Sequence, residues 1–282
     1  MPAIPVQDMI SNILTIVDDE NQNTHSNADL VRFINSAVGF YDAFLGEFAE
    51  TMLMQYRDVT HDGSELQAIM PYLPRIVSVE RTSLDPREET IPLPRGFKDR
   101  FPYISQSSGT GQGFYYVQNN QLAVVPQQAT GTDRVWVILR SPELHYGTCQ
   151  TSSTTTSFVF ASTPTAGNIH LVNDAYNQIP FMLTVSREVG VISDYTGSTK
   201  TGTTQFTLEN NPAAGIAYSI LPVLDPEYHW LYIWQAIIMG RMRTQENTVD
   251  PVSERQRLES MLMQRIRKVS KQRNKYFTRH GF

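Results

Sequence analysis

The chain has 282 residues, of which 40% are hydrophobic and 18% charged, and a formal net charge of −5. This is the length of one or two domains with a sizeable core and the composition of an ordinary soluble globular protein. The single cysteine, Cys149, excludes an internal disulfide. No cationic leader with an apolar run opens the chain and no apolar run is long enough to span a bilayer, so the expectation is a chain made and kept in a cytosol.

In chain order, Val6, Met9, Ile10, Ile13, Leu14 and Val17 follow helical spacing, and Asp18-Asp19-Glu20-Asn21 ends that run. Three adjacent acids invite a metal, but no second ligand cluster stands at ligand spacing, and a solvated turn is expected. Ser26 or Asn27 can cap a second helix, with Asp29 in its first turn. Leu30, Phe33, Ile34, Ala37, Val38, Tyr41, Phe44, Leu45, Phe48 and Met52 keep one apolar face along it. Gly39 and Gly46 fall close to that face, and mark either a close helix approach or two tolerated substitutions.

After Arg57 the pattern changes to short alternating runs broken by Pro and Gly: Arg75 to Glu80, Phe114 to Val117, Leu122 to Val125 and Arg134 to Leu139, with a tight hairpin turn between Gln118 and Gln121. This predicts an antiparallel β unit. A Ser/Thr tract from Thr148 to Ser157 leads into further strands at 157–160, 169–172, 182–185, 189–192, 204–208 and 217–221. The expected class is α+β. A helical body from residues 1–70 and 222–282 carries a β region over 71–147, and a second β module over 148–221 is inserted as a unit that excision would leave behind a folded remainder.

Asp225-Pro226-Glu227 predicts the start of a core helix running through Trp230 to Met239. Asp250-Pro251 starts another, with Leu258, Met261, Leu262, Ile266 and Val269 as its apolar stripe. The two terminal helical regions are expected to pack together, with Trp234 enclosed. From Arg241 onward eleven Lys or Arg stand against four acids, whereas the first 240 residues hold twelve basic and twenty-four acidic residues. The end of the chain is therefore a basic arm on an acidic body. It serves either as a partner-binding arm or as a solvated helix face, and Tyr276 and Phe277 beyond the stripe favour the first. With little of its own to bury, the segment after Val269 is expected to fray in isolation.

Catalytic motifs are missing. The six histidines include no i, i+4 pair, there is no nucleophile elbow or P-loop, and Gly109-Thr110-Gly111-Gln112-Gly113 precedes a strand where a phosphate cradle opens a helix. Asp62 and Glu65 are the carboxylates to consider for acid/base work on a glycan. The expectation is a non-enzyme with no metal or cofactor.

The order of segments resembles the head-to-tail adaptor (connector) proteins of tailed bacteriophages, particularly short-tailed ones. The run from Leu30 to Tyr41 is similar to the family's early helix, departing from it at Gly39, where a larger polar residue is usual. Tyr115 to Pro126 is similar to its central hairpin, and Tyr228-His229-Trp230-Leu231 to the start of its closing helix. Asp194 to Lys200, with Asn211-Pro212 and Tyr218-Ser219-Ile220, looks like a β element of several phage tail and neck proteins. The resemblance implies a virion structural protein of the neck, assembled in the host cytoplasm as a ring, commonly a dodecamer, without catalytic residues, cofactor or membrane. It also implies docking below the portal protein, a channel that passes genomic DNA without sequence-specific binding, and attachment of tail nozzle or tail fibre proteins. Portal binding then falls to Arg265, Arg267, Lys271, Arg273, Lys275, Tyr276 and Phe277. Two alternatives stand beside it: a phage-associated wall-degrading enzyme, and a tail-tube or neck protein that does not touch the portal.

Overall fold

The computed structural model describes residues 2–19, 24–48, 53–61, 63–64, 67–68, 75–82, 88–92, 114–118, 121–125, 131–212 and 215–279, the last eleven as helical backbone. The protein is α+β, with N- and C-terminal helices flanking a central β region. It divides into two compact units: Met1–Ala49 with Ser141–Leu171 and Tyr176–Phe282, and Glu50–Arg140 with Val172–Ala175.

In the first unit, α1 (Val6–Ile16) buries Val6, Met9, Ile10, Ile13 and Leu14, the predicted stripe. Asp18 takes a left-handed φ of 56° and the helix stops there. Asp19 corrects the expectation of a solvated turn. It is buried, and its carboxylate accepts the backbone N–H groups of Thr24 (3.1 Å) and His25 (3.0 Å), so it satisfies donors that the chain exposes before the next helix. Glu20 and Asn21 lie outside the described residues. α2 (Asn27–Phe48) is capped by Ser26, whose hydroxyl accepts the Asp29 N–H at 3.2 Å and donates to the Asp29 carboxylate at 2.9 Å. Met52 lies outside the described residues.

Asp225 does not cap the closing helices with its side chain as expected; a 3-10 turn over Pro226–Tyr228 comes first, held by the Tyr228 N–H on the Asp225 carbonyl at 2.9 Å. α3 (His229–Thr244) follows, with Leu231, Tyr232, Ile233, Ala236, Ile237 and Ile238 buried. It ends on left-handed Gln245, where the Glu246 N–H reaches the Arg241 carbonyl at 2.8 Å in a Schellman closure. α4 runs from Val249 to Arg279. The terminal helices pack as one body: the rings of Tyr41 and Tyr232 meet edge to face at 5.9 Å, and Ile4 donates its N–H to His229 Nδ1 at 3.2 Å.

The close helix approach expected at Gly39 does not occur, since an added Cβ there would meet nothing within 4 Å; at Gly240, on α3, one would lie 3.4 Å from the His25 ring. Trp234 is half-buried, not enclosed. Trp234→Ala is therefore expected to cost about 1 to 2 kcal/mol, against about 2 to 5 for Ile237→Ala, whose side chain is fully buried. Urea unfolding of the two variants measures that difference.

The second β module belongs to this same unit. Its six strands are β8 (Tyr146–Thr148), β9 (Ser157–Val159), β10 (Pro180–Leu183), β11 (Glu188–Thr196), β12 (Thr201–Thr204) and β13 (Ala217–Ile220), ordered β8-β13-β10-β11-β12-β9 with antiparallel ladders throughout. The strand expected at 169–172 is instead irregular, and the one expected at 204–208 is displaced to 201–204. An aromatic core fills the module: Phe158 stacks on Phe181 at 4.6 Å and meets Phe160 and Tyr218 edge-on at 4.8 and 5.0 Å. The module grips α1, because Val6 donates its N–H to the buried Ser219 hydroxyl at 2.9 Å and Gln7 donates to the Tyr218 carbonyl at 3.2 Å. The expected boundary at 148–221 is thus replaced by a shared unit, since the first helix uses the module's β13 as its seat.

Two buried histidines in this unit are held neutral. Burial lowers His229 to about 4, and its ring sits between the Ile4 N–H and the Leu224 carbonyl. Burial, with His170 nearby, lowers His145 to about 3. Unfolding releases both to near 6.5, so the unfolded chain takes up protons first; their contribution is complete above about pH 6.5 and is lost as the pH falls toward 4. Thermal unfolding is expected to drop between pH 7 and 5, and less steeply in His229→Gln.

The other unit is a seven-stranded sheet of β1 (Met54–His61), β2 (Gln67–Ala68), β3 (Arg75–Arg81), β4 (Glu88–Pro92), β5 (Phe114–Gln118), β6 (Gln121–Val125) and β7 (Gly131–Ile138), ordered β1-β7-β3-β4-β5-β6-β2. The hairpin pairing Gln118 with Gln121 is as predicted. One ladder, β4 with β5, is parallel, a departure from the all-antiparallel expectation. β1 belongs here and not with the helices because all eight of its residues pair with β7. One face buries Val59, Val79, Val135 and Val137 and ends in the His61–Asp133 contact at 2.7 Å. The opposite face carries cross-strand pairs: Arg134 forks onto Asp58 at 2.9 and 3.1 Å, and Trp136 donates to Glu80 at 2.7 Å.

Candidate partner-binding surface

The predicted binding residues all lie on α4. From Val252 to Arg279 the helix has no Gly or Pro and is rich in Arg, Gln, Glu, Leu and Met, which explains its length of about 46 Å. Its start is held by Asn247, whose side chain accepts the Val249 N–H at 3.0 Å. The first half is anchored to the body. Pro251 and Leu262 are buried, Arg255 donates to Gln235 at 2.8 Å, and the Tyr41 hydroxyl donates to Glu259 at 2.7 Å. Burial, and then that bond to Glu259, push the Tyr41 phenol well above its ordinary value, so it remains a donor. Met261, placed in the apolar stripe by its spacing, is 52% exposed; the seam runs through Leu258, Leu262 and Ile266 instead.

Arg265 is not free for a partner. Its guanidinium pairs with Asp225 at 3.1 Å and with Glu227, and lies 5.7 Å over the Tyr228 ring. This corrects its assignment: Arg265 fastens α4 to the 3-10 turn that opens α3. Arg267 is exposed and has no ion-pair partner among the described residues, and the same holds for its neighbour Lys268. Lys271, Arg273, Lys275, Tyr276 and Phe277 ride on helical backbone that continues to Arg279, and their side chains lie outside the described part of the structure. The backbone is helical to Arg279.

Helical placement sorts these residues. Arg267, Lys271, Lys275 and Arg279 recur at steps of four, and Lys268 falls beside them, so five cations share an arc of about 120°. Arg273, Tyr276 and Phe277 fall on other sides of the helix. Lys268 and Arg279 are not among the residues selected from the sequence; the i+4 repeat from Arg267 identifies Arg279, and the i+3 spacing to Lys271 identifies Lys268. No acid follows Glu259 in the chain, so nothing on this segment offsets the charge.

Elsewhere in the first unit, a cavity of about 580 Å³ is lined by Ile4, Asp8, Ser11, Asn12, Met182 and Arg187, among others. Its carboxylate, Asp8, pairs with Arg187 at 2.7 Å. Asp62 and Glu65 lie outside the described residues. Cys149 is buried and its thiol is pushed up to about 12, which leaves it unreactive. Among the described residues no cluster of His, Cys, Asp and Glu is placed to hold a metal ion, and no helix is long and apolar enough to cross a membrane. No protein-family model matches this chain, nor does any curated protein.

Proposed function

We propose that the chain is a structural subunit of a phage neck, a head-to-tail adaptor that assembles as a ring, docks on the portal, continues the DNA channel and offers the tail nozzle or fibre proteins their attachment surface. The observation that carries this reading is the division of α4 into an anchored half and a basic half. The first half is pinned by Leu262, the Tyr41–Glu259 bond and the Arg265 pairs, while the second extends the helix with a stripe of cations and no acid. A helical, charged projection on an acidic body suits a subunit that must find a polyanionic groove on a neighbour in one register, because charge complementarity of this kind steers docking and fixes orientation. The basic stripe enters acidic grooves of the portal, while Tyr276 and Phe277, on other sides of the helix, act as apolar anchors against portal surface outside that stripe.

Electron microscopy of the purified chain alone and mixed with the portal protein tests this. The expected result is a ring seated coaxially on the portal's tail-facing end. A mixture in which the two proteins remain separate overturns the reading.

A further inference from the structure

α2 carries a surface that no other element among the described residues covers. Its inner face is buried, but Arg32, Ser36, Gly39, Phe40, Ala43 and Glu47 are all exposed. On helical spacing these six fall within an arc of about 100°, over about 22 Å of helix. Phe40 stands 53% exposed near the middle, braced edge-on against Tyr41 at 5.1 Å. Beside it Gly39 leaves a hole, since a Cβ there would meet nothing within 4 Å. The two ends differ in charge. At the N-terminal end Asp29 accepts both Arg32 (2.8 Å) and Arg243 (2.9 Å), so one carboxylate faces two guanidinium groups and the surplus is positive. At the C-terminal end Glu47 has no ion-pair partner among the described residues, and the helix dipole adds negative character there.

We infer that this face pairs with the same face of a second copy, antiparallel, about a two-fold axis passing between Gly39 and Phe40. The order of residues makes the stripe its own complement. Turning it end for end sets Arg32 against the partner copy's Glu47, Ser36 against its Ala43, and Phe40 into the hole over its Gly39. Opposite charges meet at both ends, helix dipoles oppose, and the one large apolar side chain enters the one place with room for it. A stripe that served an unrelated partner has no reason to be complementary to itself in both charge and shape. One helix face is a small contact, so the pairing is weak, in the micromolar range, and depends on concentration. It does not rest on the adaptor reading, because neighbours in a ring contact each other through two different surfaces.

The test uses the full chain. Sedimentation equilibrium is expected to show a monomer–dimer equilibrium, which Phe40→Ala weakens by about tenfold or more. Arg32→Glu and Glu47→Arg each weaken it by about tenfold, and the two together restore it to within about threefold of the parent. Mild oxidation of Gly39→Cys is expected to give a disulfide-linked dimer, because residue 39 lies next to the axis. Ser36→Cys, one turn from the axis, does not link to itself, and the parent chain, with only buried Cys149, gives none. Circular dichroism confirms that each variant is folded; if a charge variant fails to fold, the cysteine pair decides. A chain that stays monomeric at millimolar concentration, a higher assembly in which Gly39→Cys does not cross-link, or a double charge exchange that fails to restore pairing overturns the proposal.

Discussion

Phe158→Ala is expected to lower the stability of the whole helical unit by about 3 to 5 kcal/mol. Phe158 is fully buried and is the ring on which Phe160, Phe181 and Tyr218 converge at 4.6 to 5.0 Å, so its removal opens a hole lined by stiff aromatic rings that cannot collapse into it. The effect reaches beyond the module. Tyr218 and Ser219 are neighbours on β13, and through them the module receives the Gln7 and Val6 donors of α1. Guanidinium unfolding followed by far-ultraviolet circular dichroism is expected to show helix and module signals lost in one shifted transition. Two separate transitions, with the helical one unmoved, would show that the module folds on its own. For the same reason excision of 148–221 is now expected to leave α1 without its seat and the remainder aggregated.

Deletion of residues 271–282 is expected to abolish portal attachment while leaving the unfolding midpoint unchanged. The anchors that hold α4 to its own body, Pro251, Leu262, the Tyr41–Glu259 bond and the Arg265 pairs, all precede the cut. The cut removes Lys271, Arg273, Lys275 and Arg279 together with Tyr276 and Phe277. Attachment by the intact chain is expected to weaken as salt rises, since charges at an exposed surface are screened over about 8 to 10 Å at 0.10 to 0.15 M. Arg265→Ala separates anchoring from docking: it loosens α4 on its body and leaves the basic stripe in place. Co-sedimentation with the portal at two salt concentrations measures these outcomes, and full-strength docking of the truncated chain removes the arm from the mechanism.

Much of the fold is legible in the sequence because local periodicity decides it. Val6, Met9, Ile10, Ile13 and Leu14 can bury one side only as a helix, the alternation from Gly131 to Ile138 suits only a strand, and the short apolar run from Leu122 to Val125 suits a strand buried on both faces. Ser26 is readable as a cap because its partner, Asp29, stands three residues on. The charge asymmetry of the last forty-two residues is likewise a property of order alone.

What only the tertiary structure decided are the contacts between residues far apart in the chain. Nothing near Ser219 announces that its hydroxyl will cap the N–H of Val6, yet that bond ties the second β module to the terminal helices and moves the domain boundary. Asp19 reads as a solvated acid until Thr24 and His25 turn their N–H groups onto it. Gly39 and Gly240 are equally permissive as residues, and only the placement of His25 shows which one admits a close neighbour. Arg265 and Arg267 stand two apart with the same charge. One meets Asp225 and Glu227 from another element and is spent on its own fold, and the other is left to the surface, because a helix turns neighbours two apart to opposite sides.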